Sequence, residues 1–300
     1  MAIVRATLAA GIMSAQLFPQ TFLLQQYRKI RARYDFEDNE IPIREDIQRR
    51  LKEALDDVNI VYRPMIPQER INFFNVCDIE IFHAGTTYSK YSGLVGIPVN
   101  FEYNDISHVN NGNILIQSAS FQWDAEAIEE FHKSLVLSEN AQKFAIARQI
   151  LTVATFDPII KALSVLTDTI IGISVYDILC TKLKITKQQK CRNALCMSIA
   201  AIGSLILALL THSELDYYRE TEVNKVISKL SREYIQGGVE YYEKLSQRNR
   251  ALRVLLGYKG AYMYTPVGNQ TTRFFRNKIS ISEQLDYFKQ QMQNIQLQLA

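Results

Sequence analysis

From Asn193 to Ser213 the chain carries no formally charged residue; the run reads NALCMSIAAIGSLILALLTHS and is 21 residues long. A helix needs about 20 mostly apolar residues to cross roughly 30 Å of bilayer hydrocarbon, and it pairs its own backbone polar groups as it does so. The run therefore predicts a membrane-spanning helix. A weaker companion lies upstream, Pro158 to Cys180 (PIIKALSVLTDTIIGISVYDILC). Lys161 and Asp177 sit near its ends and can reach the interface, whereas Asp168 falls at its centre, where an ionised carboxylate is costly. Asp168 reads either as an intramembrane contact or relay site, or as a side chain turned to the neighbouring helix and bonded to a hydroxyl there. Between the two segments, TKLKITKQQKCRN holds Lys182, Lys184, Lys187, Lys190 and Arg192 and no acid. Five positive charges in so short a loop predict a transmembrane hairpin over 158–213, with its basic loop 181–192 on the positive-inside face against lipid headgroups.

The rest of the chain reads as folded domain. The 34 Lys and Arg against 31 Asp and Glu leave a net charge of +3 across 300 residues, which argues against a surface built for nucleic acid. Residues 35–157 predict a soluble α+β region. After Pro42, Ile43, Ile47, Leu51, Leu55 and Val58 recur at helical spacing, which predicts an amphipathic helix with Pro in its first turn. INFFNVCDIEIF, Ile71 to Phe82, predicts one or two strands, and Val109–Ile114 (VNNGNI) predicts a hairpin turn. Ser138 is placed to cap a helix running to the break at Asp157-Pro158. Residues 214–300 predict a helical, basic C-terminal region in which Gly237-Gly238 marks a break or a close contact. The fold class expected is thus an α+β domain interrupted by a two-helix membrane hairpin.

Residues 1–34 are ambiguous. Ala6 to Tyr27 is uncharged and Arg-flanked, with the first acid at Asp35. That fits a mitochondrial targeting segment and also fits an N-terminal membrane anchor. As an anchor, it would set the basic flank Arg28–Arg33 on the face opposite the hairpin loop, so charge and topology conflict. Cys77, Cys180, Cys191 and Cys196 form no CxxC and no metal-knuckle spacing, and read as small buried residues.

Catalytic signatures are missing. HExxH, GxSxG, GxxxxGK[ST] and GxGxxG do not occur, and the four His are scattered. No catalytic residue, cofactor site or metal-ligand set is expected, nor an enzyme. From Lys244 to Ser282 the chain carries eight basic residues, no acid, and interleaved Tyr and Phe. This pattern suits RNA, a headgroup-facing surface, or a solvated face balanced by neighbouring acids.

Three segments carry a family resemblance: GGVEYYEKLSQRNRALRVLLGYKGAYMYTPVGN (Gly237 to Asn269), LSENAQKFAIARQI (Leu137 to Ile150) and VGIPVNF (Val95 to Phe101). They resemble the transmembrane protein 177 family. The resemblance covers roughly residues 90 to 280 and implies a multi-pass protein of the mitochondrial inner membrane. It implies an accessory factor in cytochrome c oxidase assembly, which stabilises newly made subunit II and its membrane chaperone. Partners expected are therefore the membrane, subunit II and that chaperone, with no nucleic acid and no small-molecule substrate. Within the signature block, Tyr241, Arg253, Tyr262 and Tyr264 are candidate partner contacts, while Tyr242, on the Val239 face of its helix, is expected to be buried. A more distant similarity is to membrane zinc peptidases, which place a metal-binding helix before a hairpin and a ligand Glu after it. Here QKFAIARQ has no ligand pair and SREY, Ser231 to Tyr234, keeps a Glu, so the chain reads by analogy as a metal-free relic of that fold. The alternative function is accordingly a degenerate metallopeptidase-like protein with a different partner.

Overall fold

The computed structural model describes residues 2–109, 124–185, 189–271 and 279–299. Helix dominates, at about 70% of the described residues, with one small three-stranded sheet. Helix α1 (Ala2–Leu17) stops just before Pro19, whose ring cannot continue it, and a short 3-10 turn leads to α2 (Leu24–Arg31). Helix α3 (Glu45–Val61) buries Ile47, Leu51, Leu55 and Val58, as their spacing requires. It begins at Glu45, so Pro42 precedes the helix instead of lying in its first turn.

Strands β1 (Ile71–Val76), β2 (Phe82–Gly85) and β3 (Gly93–Pro98) form a sheet ordered β1-β3-β2, with β1 parallel and β2 antiparallel to β3. The strand expected at Ile71–Phe82 is thus β1 and the start of β2; most of the expected hairpin turn, residues 110–114, lies outside the described residues. On one face of the sheet, Leu24 and Ala32 pack on Phe74, Val76, Ala84 and Leu94. On the other lies α5.

Helix α4 (Ala125–Leu135) is capped by Asp124, whose carboxylate accepts from Ala127 N at 2.9 Å. Helix α5 (Glu139–Val153) is capped by Ser138, whose hydroxyl accepts from Ala141 N at 3.2 Å. Ten of the fifteen α5 residues are buried, which makes α5 the axis of the main core. Around it pack α3, α8 (Arg232–Leu255) and α10 (Ile281–Leu299), with Tyr242 and Phe288 set edge-on and stacked about Phe144. Gly237-Gly238 does not break α8. A Cβ on Gly237 would lie 2.2 Å from Asn140 O, so the pair lets α8 approach the start of α5.

Helices α6 (Asp157–Lys182) and α7 (Lys190–Ile227) make the antiparallel hairpin. Helix α7 does not stop at Ser213. It continues unbroken for 38 residues in all, and its last turns put Glu220, Val223, Asn224 and Ile227 into the soluble core. Helix α9 (Gly257–Met263) turns the chain back along α8 and delivers Tyr264 to a second core, in which α4 and α8 supply Phe131, Leu135, Leu252 and Leu255. The cysteines depart from expectation. Cys196 is buried, but Cys180 is half-buried and Cys77 and Cys191 are exposed, and none is disulfide-bonded.

Candidate functional site

The hairpin presents apolar side chains outward. Ile160, Leu163, Ile170, Ile171 and Ile178 on α6, and Leu195, Ile199, Ile202, Leu205 and Ile206 on α7, are all exposed. Only 11% of each apolar window is buried inside the protein. A core helix would bury these side chains, so this surface is built for hydrocarbon. Where the helices meet, Gly172 of α6 admits Ser204 of α7, whose hydroxyl donates to Asp168 O at 2.8 Å. Asp168 is buried between the helices, as one of its two readings required. The hydroxyl bonds its backbone carbonyl, however, and among the described residues Oδ2 has no partner.

Helix α1 packs along α6, and Arg5 forms a bidentate pair with Asp177 at the loop end of the hairpin. The basic flank that follows α1 is engaged by acids of the folded domain: Arg28 with Glu40 at 2.7 Å, Arg31 with Asp78 at 3.7 Å and Arg33 with Glu102 at 2.9 Å. Those charges are neutralised in place, which weakens their pull on topology. In the basic loop, Lys182, Lys184, Lys190 and Arg192 are exposed. Lys187 lies outside the described residues.

At the opposite end of the hairpin, charge gathers where the apolar runs stop. Lys161 Nζ lies 2.6 Å from Asp216 Oδ1 and 3.0 Å from Asp157 Oδ2. Arg219 reaches the same two carboxylates at 2.8 and 2.6 Å. The four side chains are 13–19% exposed. This ring ties the first turn of α6 to α7 at the end of the apolar runs, where charged side chains are tolerated.

Beside the ring opens a cleft of about 1350 Å³ between the hairpin base and the folded domain. Strand β2, helices α5, α7 and α8, and the end of α1 wall it. Arg148 of α5 faces Glu220 of α7 at 3.5 Å. Glu220 also accepts from Ile279 N and from Gln284 Nε2, at 3.1 and 3.2 Å. Arg248 of α8 pairs with Glu80 at 2.6 Å. Tyr241 and Tyr242 line the α8 wall, and burial pushes both phenols up, so they remain protonated. Arg148, Gln149 and Glu220 went unnoticed in the sequence. The one signal was a polar Arg-Gln pair late in the otherwise apolar FAIARQI.

The four candidate partner contacts separate. Tyr241 is half-buried in the cleft wall, and Tyr262 is exposed. Arg253 and Tyr264, by contrast, build the fold. The Arg253 guanidinium donates to Ala261 O at 2.9 Å and to Tyr264 O, fixing α9 on α8, and the Tyr264 ring lies in the second core. Tyr242 is buried as expected. The likeness to a zinc-peptidase fold finds no support. Glu233 of SREY is exposed in the first turn of α8, and no three ligand-type side chains converge among the described residues.

A family model described as transmembrane protein 177 matches residues 101–295. Among curated proteins, the chain is 29% identical to the transmembrane protein 177 of Danio rerio over 265 residues, covering 86% of this chain and 82% of that one. It is 29% identical to the Homo sapiens protein of the same name over 246 residues, 79% and 75% of the two chains. The Xenopus laevis protein is 26% identical over 271 residues, 88% and 84%. No solved structure matches.

Proposed function

Because the chain belongs to the transmembrane protein 177 family, we propose that it is a non-catalytic assembly factor of the mitochondrial inner membrane. In this reading it holds newly made cytochrome c oxidase subunit II and its membrane chaperone until that intermediate matures. One observation carries the reading. A lipid-facing hairpin runs without a hinge into a folded domain, through the continuous helix α7, and leaves an open polar cleft at the membrane boundary. A holding protein needs such a design, in which one part binds the partner inside the bilayer and another binds it just outside. The basic loop 181–192 faces the matrix, and both folded regions lie in the intermembrane space.

The test is depletion of the protein followed by pulse labelling of mitochondrial translation products. Newly made subunit II should decay faster, and the wild-type chain should restore its lifetime. Unchanged turnover of subunit II on depletion refutes the assembly role. Protease treatment after rupture of the outer membrane should cleave a C-terminal tag, and full protection of the tag would invert the topology.

A further inference from the structure

The lipid-facing stripes of two helices end in aromatic rings. On α6 the exposed Ile160, Leu163 and Ile170 follow one face, and Phe156, one turn before Ile160, carries that face to the residue preceding the helix. On α1 the exposed face runs through Gly11 and Ala15 to Phe18, and Phe22, whose N–H donates to Phe18 O at 3.0 Å, keeps the same step. Phe18, Phe22 and Phe156 are 49%, 60% and 47% exposed. Both stripes end at the same level. Arg5 holds the start of α1 on Asp177. From Arg5 to Phe18 the helix advances about 20 Å, which along α6 leads from Asp177 back to within about one turn of Lys161.

One loop gathers the ends of the two stripes. It joins β2 to β3 over residues 86–92 and reads TTYSKYS. The loop is fastened to the hairpin base, since Thr86 Oγ1 donates to Thr155 O at 2.6 Å and Thr87 N to Val153 O at 2.9 Å. The Tyr88 ring stacks on Phe156 with centroids 3.6 Å apart, and the Tyr91 ring lies 5.1 Å from that of Phe22. Lys90 stands exposed between the two tyrosines, its ammonium 5.0 Å from the Tyr91 ring centre. Phe rings thus close the apolar stripes, and Tyr and Lys follow on the loop beyond. That is the order of polarity met on leaving a bilayer, from acyl chains to the glycerol region to phosphate. The surface that these rings continue is already built for hydrocarbon, and three exposed Phe rings are unfavourable in water.

We propose that this aromatic ledge is a second lipid contact, made by the folded domain itself at the end of the hairpin opposite the basic loop. The Phe rings enter the boundary between acyl chains and headgroups, and the Tyr88 and Tyr91 hydroxyls and the Lys90 ammonium meet the headgroups. The domain therefore rests on the bilayer on the β2–β3 side, which fixes its rotation about the hairpin. The ledge does not depend on which protein the chain assists; it depends on α6 and α7 spanning the membrane.

The test is tryptophan quenching by brominated lipid, with the full chain inserted in vesicles of phosphatidylcholine and phosphatidylglycerol. Trp123 is replaced by Phe, and one Trp is placed in turn by Phe22→Trp, Phe18→Trp, Leu205→Trp or Glu233→Trp. Leu205 is exposed within the α7 run, and Glu233 is exposed beyond the far end of α7. Bromines on the acyl chain close to the headgroup should quench Trp at 22 and 18 about as strongly as bromines near the chain end quench Trp at 205. Neither lipid should quench Trp at 233. Trp at 22 and 18 quenched by aqueous iodide and by neither lipid overturns the ledge. Trp at both positions shielded from iodide yet unquenched by lipid also overturns it, because protein then covers the face. Loss of lipid quenching at 205 as well overturns the spanning hairpin together with the ledge.

Discussion

Gly237 is the point at which α8 comes nearest to α5, and replacing it with Ala should loosen the whole folded domain. A Cβ there would sit 2.2 Å from Asn140 O, 2.5 Å from Asn140 C and 3.0 Å from Ala141 N. All three are backbone atoms in the cap region of α5, so no side-chain rotation relieves the clash. Favourable carbon contacts begin near 3.5 Å, so the helices must part by about 1 Å. Overpacking of this kind costs about 3 kcal/mol, at the upper end because backbone must move. Ala gains about 1 kcal/mol over Gly in a helix interior, leaving a net loss of ~2 kcal/mol. For a chain of 300 residues that lowers Tm by about 3 °C. Two companion variants set the scale. In Gly238→Ala the new methyl meets the Phe144 and Phe288 rings at 2.8 and 3.1 Å, which can tilt, so its loss is smaller. In Gly203→Ala nothing lies within 4 Å and Tm should hold or rise. The assay is thermal unfolding of the full chain in detergent, followed by near-ultraviolet circular dichroism. A Gly237→Ala protein melting at or above the wild type would refute the close-approach argument.

Asp216→Asn should leave Lys161 and Arg219 to share the single carboxylate of Asp157 and cost about 2 kcal/mol, because one buried positive charge is then uncompensated; an unchanged melting temperature would mean the ring contributes nothing to holding the hairpin. Burial pushes the Tyr62 phenol up to about 12, above its ordinary value of 10.0, with Tyr88 adding to the shift. A raised folded value means that the stabilisation is complete below pH 10 and is lost as pH rises toward 12, since the unfolded chain ionises first. Melting curves taken across that interval should fall less steeply in Tyr62→Phe than in the wild type, and equal slopes would remove Tyr62 as the cause.

Local features of the fold were legible in the sequence. The uncharged run at Asn193–Ser213 marks α7, and Ser138 and Asp157-Pro158 bound α5 and α6, because cap and breaker chemistry acts within a few residues. What could not be read depended on distance. Nothing after Ser213 halts the helix, since SELDYYRETEVNKVI contains neither Pro nor Gly, yet only the packing of Val223 and Ile227 on α5 reveals that α7 enters the soluble core. Arg253 and Tyr264 looked like surface anchors because a basic and an aromatic residue in a signature block suggest recognition. Their role comes from the fold of α9 back onto α8, where a guanidinium meets carbonyls 8 and 11 residues further on. The cleft was invisible for the same reason, as its walls come from segments as far apart as Gln20 and Gln284.

A helix that crosses the bilayer and ends inside a core behaves as a lever with no joint. At 1.5 Å per residue, α7 is about 57 Å long, and the portion beyond Ser213 extends about 21 Å. Membrane helices tilt by about 20° on average to match bilayer thickness, and such a tilt carries the far end of that portion sideways by about 7 Å. With Glu220 and Val223 on this arm lining the cleft, lateral pressure or thinning of the bilayer is converted into a displacement of the cleft relative to the lipid surface. Bilayer thickness, through the tilt it imposes on α7, thereby sets the height and angle at which the folded domain stands over the lipid surface.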